Sequence, residues 1–349
     1  MLRTLTDRLN HEYWPWQVIY LPVVPLYLYQ AIRQRRAAFF TNVNPAIDMG
    51  GFFGESKSAI YSLLPKEIFP QTCLIPSYST EADVIRTHRA SGISFPLIVK
   101  PDVGERGQGV VRVTDESELV RALAGKPNTF LLQAMAPGDL EFGLMFARDP
   151  ATGNTTLLSV AGKEFLSVTG DGRSTVLELL SKQWRGRKQI ERLLELDPVL
   201  LSSVPSPGMI ARVEPIGNHC RGTLFNDANH LATPALGIAV DGLLAMTEGI
   251  YYGRMDVRCE SEVALREGRF TVIEMNGVSS EPGHIYDPRY SIFQCWRELT
   301  RHVRHVGSIS RQLQRTGTEP VSFHALLGRM GTHLGWRVGP LRRVVSWFA

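Results

Sequence analysis

The apolar positions of the chain change period several times, and each change predicts an element. Tyr13 to Ile32 is a run of 20 residues without a charge, YWPWQVIYLPVVPLYLYQAI. Its length matches a bilayer span. Pro15, Pro22 and Pro25 argue against one regular spanning helix, because each lacks an amide donor and restricts the residue before it. The run reads first as a buried or subunit-contact segment, second as a segment at a membrane interface, and last as a true span. Asn42, Pro45, Gly50, Gly51 and Gly54 then mark a loop, and a short helix starts near Glu55 and stops before Pro65.

A second block alternates short apolar strands with helices. It predicts a helix over Glu81 to Ser91, a strand over Phe95 to Lys100 and a glycine-rich loop from Asp102 to Gly109. A strand over Val110 to Val113, a helix over Glu116 to Ala124 and a strand over Phe130 to Gln133 complete it. A third block opens with the strand EFGLMFAR from Glu141, turns at Asp149 to Asn154 and returns as strand through Phe165. Helices are expected over Thr175 to Ser181, Arg185 to Leu194, Pro234 to Glu248 and Ser291 to Val306. A β-hairpin is expected over Gly253 to Asn276. Strands and helices mix without strict alternation, which predicts the α+β (mixed α/β) class.

Composition narrows this picture. With 349 residues, the chain exceeds one small core and suits two or three subdomains. Apolar residues at 44% and charged residues at 21% describe an ordinary folded protein. The net charge of +4 demands no nucleic acid as partner. The excess is uneven: from Arg301 to Ala349 there are eight arginines against one acid, Glu319. Cys73, Cys220, Cys259 and Cys295 are far apart, which fits reduced thiols in a cytoplasmic protein better than disulfides or a zinc site. No small-residue cleavage site follows the apolar run, so a signal peptide is not expected.

Two stretches carry chemistry. In PLIVKPDVGERGQGVV an apolar strand delivers Lys100, and Gly104, Gly107 and Gly109 follow in a loop before the next strand. Glycines let backbone amides approach phosphate, and an ammonium neutralises its charge. The spacing differs from that of a P-loop, and a plain glycine-rich hairpin is the alternative. In the second stretch, GRMDVR places Arg254, Asp256 and Arg258 on one strand face, and FTVIEMN places Glu274 and Asn276 on one face with Ile273 and Met275 toward a core. Paired as a hairpin, the two strands bring Asp256 close to Glu274 and Asn276. Two carboxylates and an amide oxygen are hard ligands suited to Mg²⁺. Arg254 stands beside them, able to stabilise a developing oxyanion.

In this order the motifs resemble those of the ATP-grasp ligases, in particular the D-alanine–D-alanine ligase pattern. The resemblance covers roughly Lys57 to His305. It implies an ATP-grasp fold, with two α+β halves clamping ATP under the glycine-rich loop. It implies phosphate contact for Lys100 and nucleotide contact for Lys57. Asp256, Glu274 and Asn276 would ligate Mg²⁺ (or Mn²⁺), and Arg254 would stabilise the tetrahedral intermediate. LLQAMAPGDLEFG resembles the hinge between the halves, so Gln133 to Met135 would line the adenine pocket and Glu141 would take the ribose hydroxyls. Lys163 falls where an ATP-contacting lysine is expected. VTGDGRSTVLELL is similar to a block of cyanophycin-synthetase-like and glutathione-ligase-like members.

The implied organisation is a pre-grasp region over 1–75, a small subdomain over 76–140, a large subdomain over 141–305 and a basic tail over 306–349. The implied activity is ADP-forming ligation of a small-molecule carboxylate to an amine through an acyl phosphate. Kinase chemistry, a thiol or hydroxyl acceptor, and a membrane-associated ligase with a lipid or envelope substrate are the alternatives. Many members of the family are dimers. The sequence departs from the dipeptide ligases at GNHCRGTLFND and at GVSSEPGHIYDP. His219, Arg221, Glu281, His284 and Tyr286 are therefore candidates for substrate contact, and D-alanine specificity does not carry over. A basic, aromatic-tipped C-terminus and the apolar N-terminal run together motivate a peripheral membrane contact.

Overall fold

The computed structural model describes residues 11–104 and 107–333. Prolines decide how the N-terminal apolar run folds. It breaks into α1 (Trp16–Tyr20), a turn of 3-10 helix (Leu21–Val23) and α2 (Val24–Gln34). Pro15 caps α1, and Pro22 and Pro25 occupy the first turns of the two later segments, where a missing amide costs no helical hydrogen bond. Ile19 and Val23 pack into a core with Ile285, Cys295 and Leu299. Among the described residues, no helix is long and apolar enough to cross a membrane. The next helix, α3 (Lys57–Ser62), starts at an N-cap on Ser56.

A four-stranded antiparallel sheet follows. Its elements are β1 (Thr72–Ile75), α4 (Glu81–Ser91), β2 (Leu97–Pro101), β3 (Val111–Val113), α5 (Glu116–Leu123) and β4 (Phe130–Ala134), with strand order β1-β4-β2-β3. A capping box on Thr80 and Asp83 fixes the start of α4, and Asp115 caps α5. Val84, Leu119 and Leu123 from these helices pack on Ile75, Leu97, Val99 and Leu132 of the sheet. β1, absent from the sequence reading, gains its identity from pairing with β4 (Leu74 opposite Leu131) rather than from its own short pattern.

The larger half is built from β5 (Leu140–Arg148), β6 (Thr155–Glu164), β7 (Ser167–Thr169), α6 (Val176–Lys182), β8 (Ile210–Arg212), β9 (Leu224–Asp227), α7 (Pro234–Ala245), β10 (Tyr252–Cys259), α8 (Glu262–Arg266), β11 (Thr271–Asn276), α9 (Ile292–Arg315) and α10 (Phe323–His333). Five strands form one antiparallel sheet in the order β11-β10-β5-β6-β9, and β7 pairs with β8 apart from it. Leu236, Val240 and Leu244 of α7 bury one face of that sheet against Leu144, Val160, Met255 and Val257. The opposite face carries the polar residues. Two antiparallel sheets with helices packed on them are an α+β architecture.

The structure corrects four local expectations. The helix expected over Arg185 to Leu194 is two short helices, Trp184–Arg187 and Ile190–Leu196. The link between β10 and β11 is not a polar turn but holds α8, capped by Ser261. Ile273 does not enter the core. A register shift pairs Asp256 with Glu274 but Val257 with Val272, so Ile273 is the extra residue of a bulge and Val272 takes the buried place. The last long helix does not stop at Val306. It continues through Gly307 to Arg315, and at Gly307 α2 packs so close that a Cβ would lie 2.6 Å from Cδ of Gln30. All four cysteines are free thiols.

Candidate active site

Strand register assembles the first part of the site. β10 and β11 pair antiparallel, with Arg254 opposite Asn276 and Asp256 opposite Glu274. Directly opposed residues on one sheet face have neighbouring side chains. On the other side of β10, β5 places Glu141 opposite Arg258. β6 places Lys163 opposite Glu141. Four strands thus deliver their polar side chains to one face by simple alternation.

Those side chains form a continuous buried ion network. Arg254 donates Nε and Nη2 to the two oxygens of Asp256, at 2.8 and 3.1 Å. Lys163 Nζ lies 2.7 Å from Oε1 of Glu141 and 3.2 Å from Oδ2 of Asp256. Arg258 lies 3.8 Å from the other oxygen of Glu141. Burial is the largest influence on Asp256 and pushes its carboxyl up, but Arg254 and Lys163 together hold it below the ordinary value. Burial likewise pushes Lys163 down, and Asp256 and Glu141 outweigh it and raise the ammonium above its ordinary value. The network is therefore charged at neutral pH.

The small sheet and α3 supply a second set of cations across the seam. Lys100, at the end of β2, is buried. It donates to the Tyr61 hydroxyl at 2.7 Å, to Oε1 of Gln133 at 2.9 Å and to the Ile273 carbonyl at 3.0 Å. The bulge that displaces Ile273 thus presents its carbonyl to Lys100. Burial pushes the Lys100 ammonium down to about 8, partly offset by Glu274. Lys57, the first residue of α3, donates to the Gly104 carbonyl at 2.9 Å and lies 3.7 Å from Glu274. Asp102 pins the helix to the root of the glycine-rich loop by accepting from the Ser56 hydroxyl and the Ser58 amide. Tyr61 and Asp102 escaped the sequence reading. Tyr61 falls four residues after Lys57 on α3, a spacing that places both on one helix face.

The loop itself touches the large half. Gly107 and Gly109 adopt φ of +70°, a conformation that suits glycine. Arg221 donates to the Gly107 carbonyl, makes a longer contact of 3.4 Å with the Val110 carbonyl, and lies 3.5 Å from Glu214. The arginine expected at the substrate is placed here as a clasp on the loop.

The remaining candidates fall in two groups. Gln133 is buried and turned to Lys100 and Thr72, while Met135 is half-buried just beyond β4. Glu281 accepts from the hydroxyls of Tyr20 and Tyr286, and its carbonyl accepts from Arg254 at 3.2 Å. His219 packs its ring 4.9 Å from Tyr286 and bonds Glu12 at 3.0 Å. Glu12 also binds Arg185. His284 is separate: it is buried, with Tyr290 at its ring edge and Glu298 3.9 Å away, and burial holds its imidazole below the ordinary value. The structure thus brings Glu281, Tyr286 and His219 together and sets His284 in the interior.

The donor set fits a hard divalent ion. Asp256 and Glu274 oppose each other, and Asn276 follows Glu274 on the same side of β11. The Glu274 side chain is 33% exposed and lies 3.7 Å from Lys57. Among the described residues, no cluster of three His, Cys, Asp or Glu side chains stands ready to hold a metal alone. Mg²⁺ typically takes one or two carboxylates and completes its shell from phosphate and water. Ion pairs within 4 Å join Lys57, Lys163, Arg254 and Arg258 to Glu141, Asp256 and Glu274, four cations against three carboxylates, and Lys100 is a further buried cation with Glu274 as an electrostatic neighbour. The surplus of positive charge suits a polyanion.

No family model and no curated protein matches this sequence. Several solved structures are similar to it. A bifunctional glutathione synthetase from Pasteurella multocida shares 17% identity over 72% of this chain and 36% of its own length, with a TM-score of 0.38. The chain thus spans about a third of that protein. D-alanine–D-alanine ligase from Bacillus anthracis shares 15% identity over 78% of this chain and 72% of its own, with a TM-score of 0.44. An L-amino acid ligase from Bacillus licheniformis shares 14% identity over 73% of this chain and 51% of its own, with a TM-score of 0.38.

Proposed function

We propose that the protein is an ADP-forming, ATP-dependent carboxylate–amine ligase of the ATP-grasp type, working through an acyl phosphate with Mg²⁺. One observation carries this reading. Lysines and arginines outnumber carboxylates where the two sheets meet, beside a glycine-rich loop. Such a net positive cluster complements a magnesium nucleotide triphosphate, which is anionic.

In this reading, Lys57 and Lys100 hold phosphate oxygens from the small half, and the loop around Gly104, Gly107 and Gly109 covers them with backbone amides. Lys100 gives up one of its three present hydrogen bonds to do so. Lys163 and Arg254 hold the opposite side and keep Asp256 ionised. Asp256, Glu274 and Asn276 would hold Mg²⁺, which when bound withdraws charge from the transferring phosphoryl group. A carboxylate oxygen of the substrate attacks the γ-phosphorus, the bridging P–O bond breaks and ADP leaves. The acceptor amine then attacks the acyl carbon, phosphate departs and the amine proton is lost to solvent. Arg254 stabilises the tetrahedral oxyanion. Arg221 holds the loop against the large half and keeps water from the acyl phosphate. Glu281, Tyr286 and His219 flank the acceptor.

The test is product analysis with amino and hydroxy acids supplied as pairs with Mg²⁺ and ATP. The reading expects ADP, phosphate and a new amide in equal amounts. A thioester or ester in place of the amide, or a phosphorylated product that retains the phosphate, would replace it.

A further inference from the structure

The N-terminal helix turns an apolar stripe outward. In α2, Gln30 and Gln34 face the protein beside Tyr27 and Ala31, while Val24, Leu28 and Ile32 face solvent. Gln30 is buried against Gly307 of α9, and Gln34 bonds to Gln30 and accepts from Gln314 at 2.8 Å. Leu21, Val24, Leu28 and Ile32, spaced three or four apart, form an outward stripe. Leu21 is 67% exposed, Leu28 53% and Ile32 76%. Two interfacial aromatics flank the stripe, Trp16 at 60% and Tyr29 at 54%. Water gains nothing from contact with such a face, so something else covers it.

The rim is cationic. Arg33 closes α2, and α9 contributes Arg311 and Arg315. Among the described residues, no carboxylate lies within ion-pair reach of these three. Nη1 of Arg311 is buried without a hydrogen-bond partner, and Arg33, Arg315 and Tyr29 are its electrostatic neighbours. Uncompensated arginines beside an apolar, aromatic-edged stripe complement one chemistry: acyl chains beneath anionic headgroups.

We infer that this face docks the protein on the surface of a bilayer rich in anionic lipid, with the stripe of α2 in the acyl boundary and the exposed Arg33 and Arg315 at the headgroups. The same segment reaches the acceptor side of the site, since Tyr20 of α1 donates to Glu281. Docking sets that side of the site against the membrane.

The test is co-sedimentation of the full chain with vesicles of phosphatidylcholine alone and with about 30% phosphatidylglycerol added. Two paired variants accompany it, Leu21→Ser with Ile32→Ser, and Arg33→Gln with Arg315→Gln. All four positions are exposed, so the variants fold, which thermal unfolding checks. The expected result is binding to the anionic vesicles only. Each charge removed weakens it about fivefold, and the apolar pair weakens it at least about tenfold. Absence of binding by the wild-type chain overturns the inference. So does binding that both variants retain, which places the contact elsewhere on the chain. So does a dimer in sedimentation velocity that the apolar pair dissolves without any vesicle binding, which assigns the stripe to a second copy. None of these results depends on nucleotide turnover, so docking can fail while the ligase reading stands.

Discussion

The two sides of the site are built differently. On the activating side, ions stand on strands: Lys100 on β2, Glu141 on β5, Lys163 on β6, Arg254 and Asp256 on β10, Glu274 on β11. On the acceptor side, Glu281, Tyr286 and His219 lie outside the strands and are joined mainly by hydroxyl and ring contacts. Charge fixed by a strand ladder suits a ligand that is the same in every turnover, such as a triphosphate. A cluster of phenols and one carboxylate outside that ladder is free to be shaped around whichever acceptor the protein uses. In the proposed reaction, the contrast places the activating chemistry on strands and leaves specificity to connecting segments.

Substitutions break this contrast in order of size. Asp256→Asn removes the charge that balances both Arg254 and Lys163. Carboxylate-dependent ADP formation is expected to fall by about 10³-fold or more. Circular dichroism should stay native, because Lys163 keeps Glu141 and Arg254 keeps the Glu281 carbonyl. Turnover at the wild-type rate would remove Asp256 from the metal site.

Lys100→Ala is next. Nucleotide affinity, read by titration with a fluorescent ATP analogue, should weaken at least about tenfold. Its acidity gives a sharper form of the same test. Below about 8 the free protein carries Lys100 as an ammonium, and above it as a neutral amine. The charge that holds phosphate is thus present at lower pH and lost as pH rises. The KM for ATP should climb about tenfold between about pH 7 and pH 9, and Lys100→Arg should flatten that limb. A limb that survives the arginine variant belongs to another group.

Arg221→Gln should act on the loop alone. Loss of its contact to the Gly107 carbonyl should raise the KM for ATP about fivefold and speed proteolysis of the loop, with the carboxylate KM unchanged. Tyr286→Phe should have the smallest effect, about threefold on the acceptor KM and none on ATP affinity, since it deletes one hydroxyl contact to Glu281. An acceptor-side variant that changed ATP affinity as strongly as Lys100→Ala would dissolve the distinction between the two sides.

The same contrast explains what was legible in the sequence. The period of two in GRMDVR and FTVIEMN put Asp256 near Glu274 and Asn276, because pattern constrains register where one face is buried, and the structure sets Asp256 opposite Glu274. The bulge at Ile273 was hidden, since an extra residue leaves no mark in composition. Arg221 read as a substrate residue because its partner, the Gly107 carbonyl, is 114 positions away and offers no side chain to recognise. His219 and Glu12 meet across 207 positions for the same reason. The N-terminal run was legible as broken by its prolines, but not as turning an apolar stripe outward. That depends on Gly307, which lets Gln30 into a close helix contact.

The central claim is that a substrate carboxylate takes the γ-phosphoryl group of ATP at Lys100, Arg254 and Asp256. Turnover with a carboxylate substrate labelled with ¹⁸O tests it directly, with the released phosphate read by mass spectrometry. The account predicts one labelled oxygen in each phosphate released, and no such phosphate from the Asp256→Asn variant. Phosphate free of label during productive turnover would contradict it.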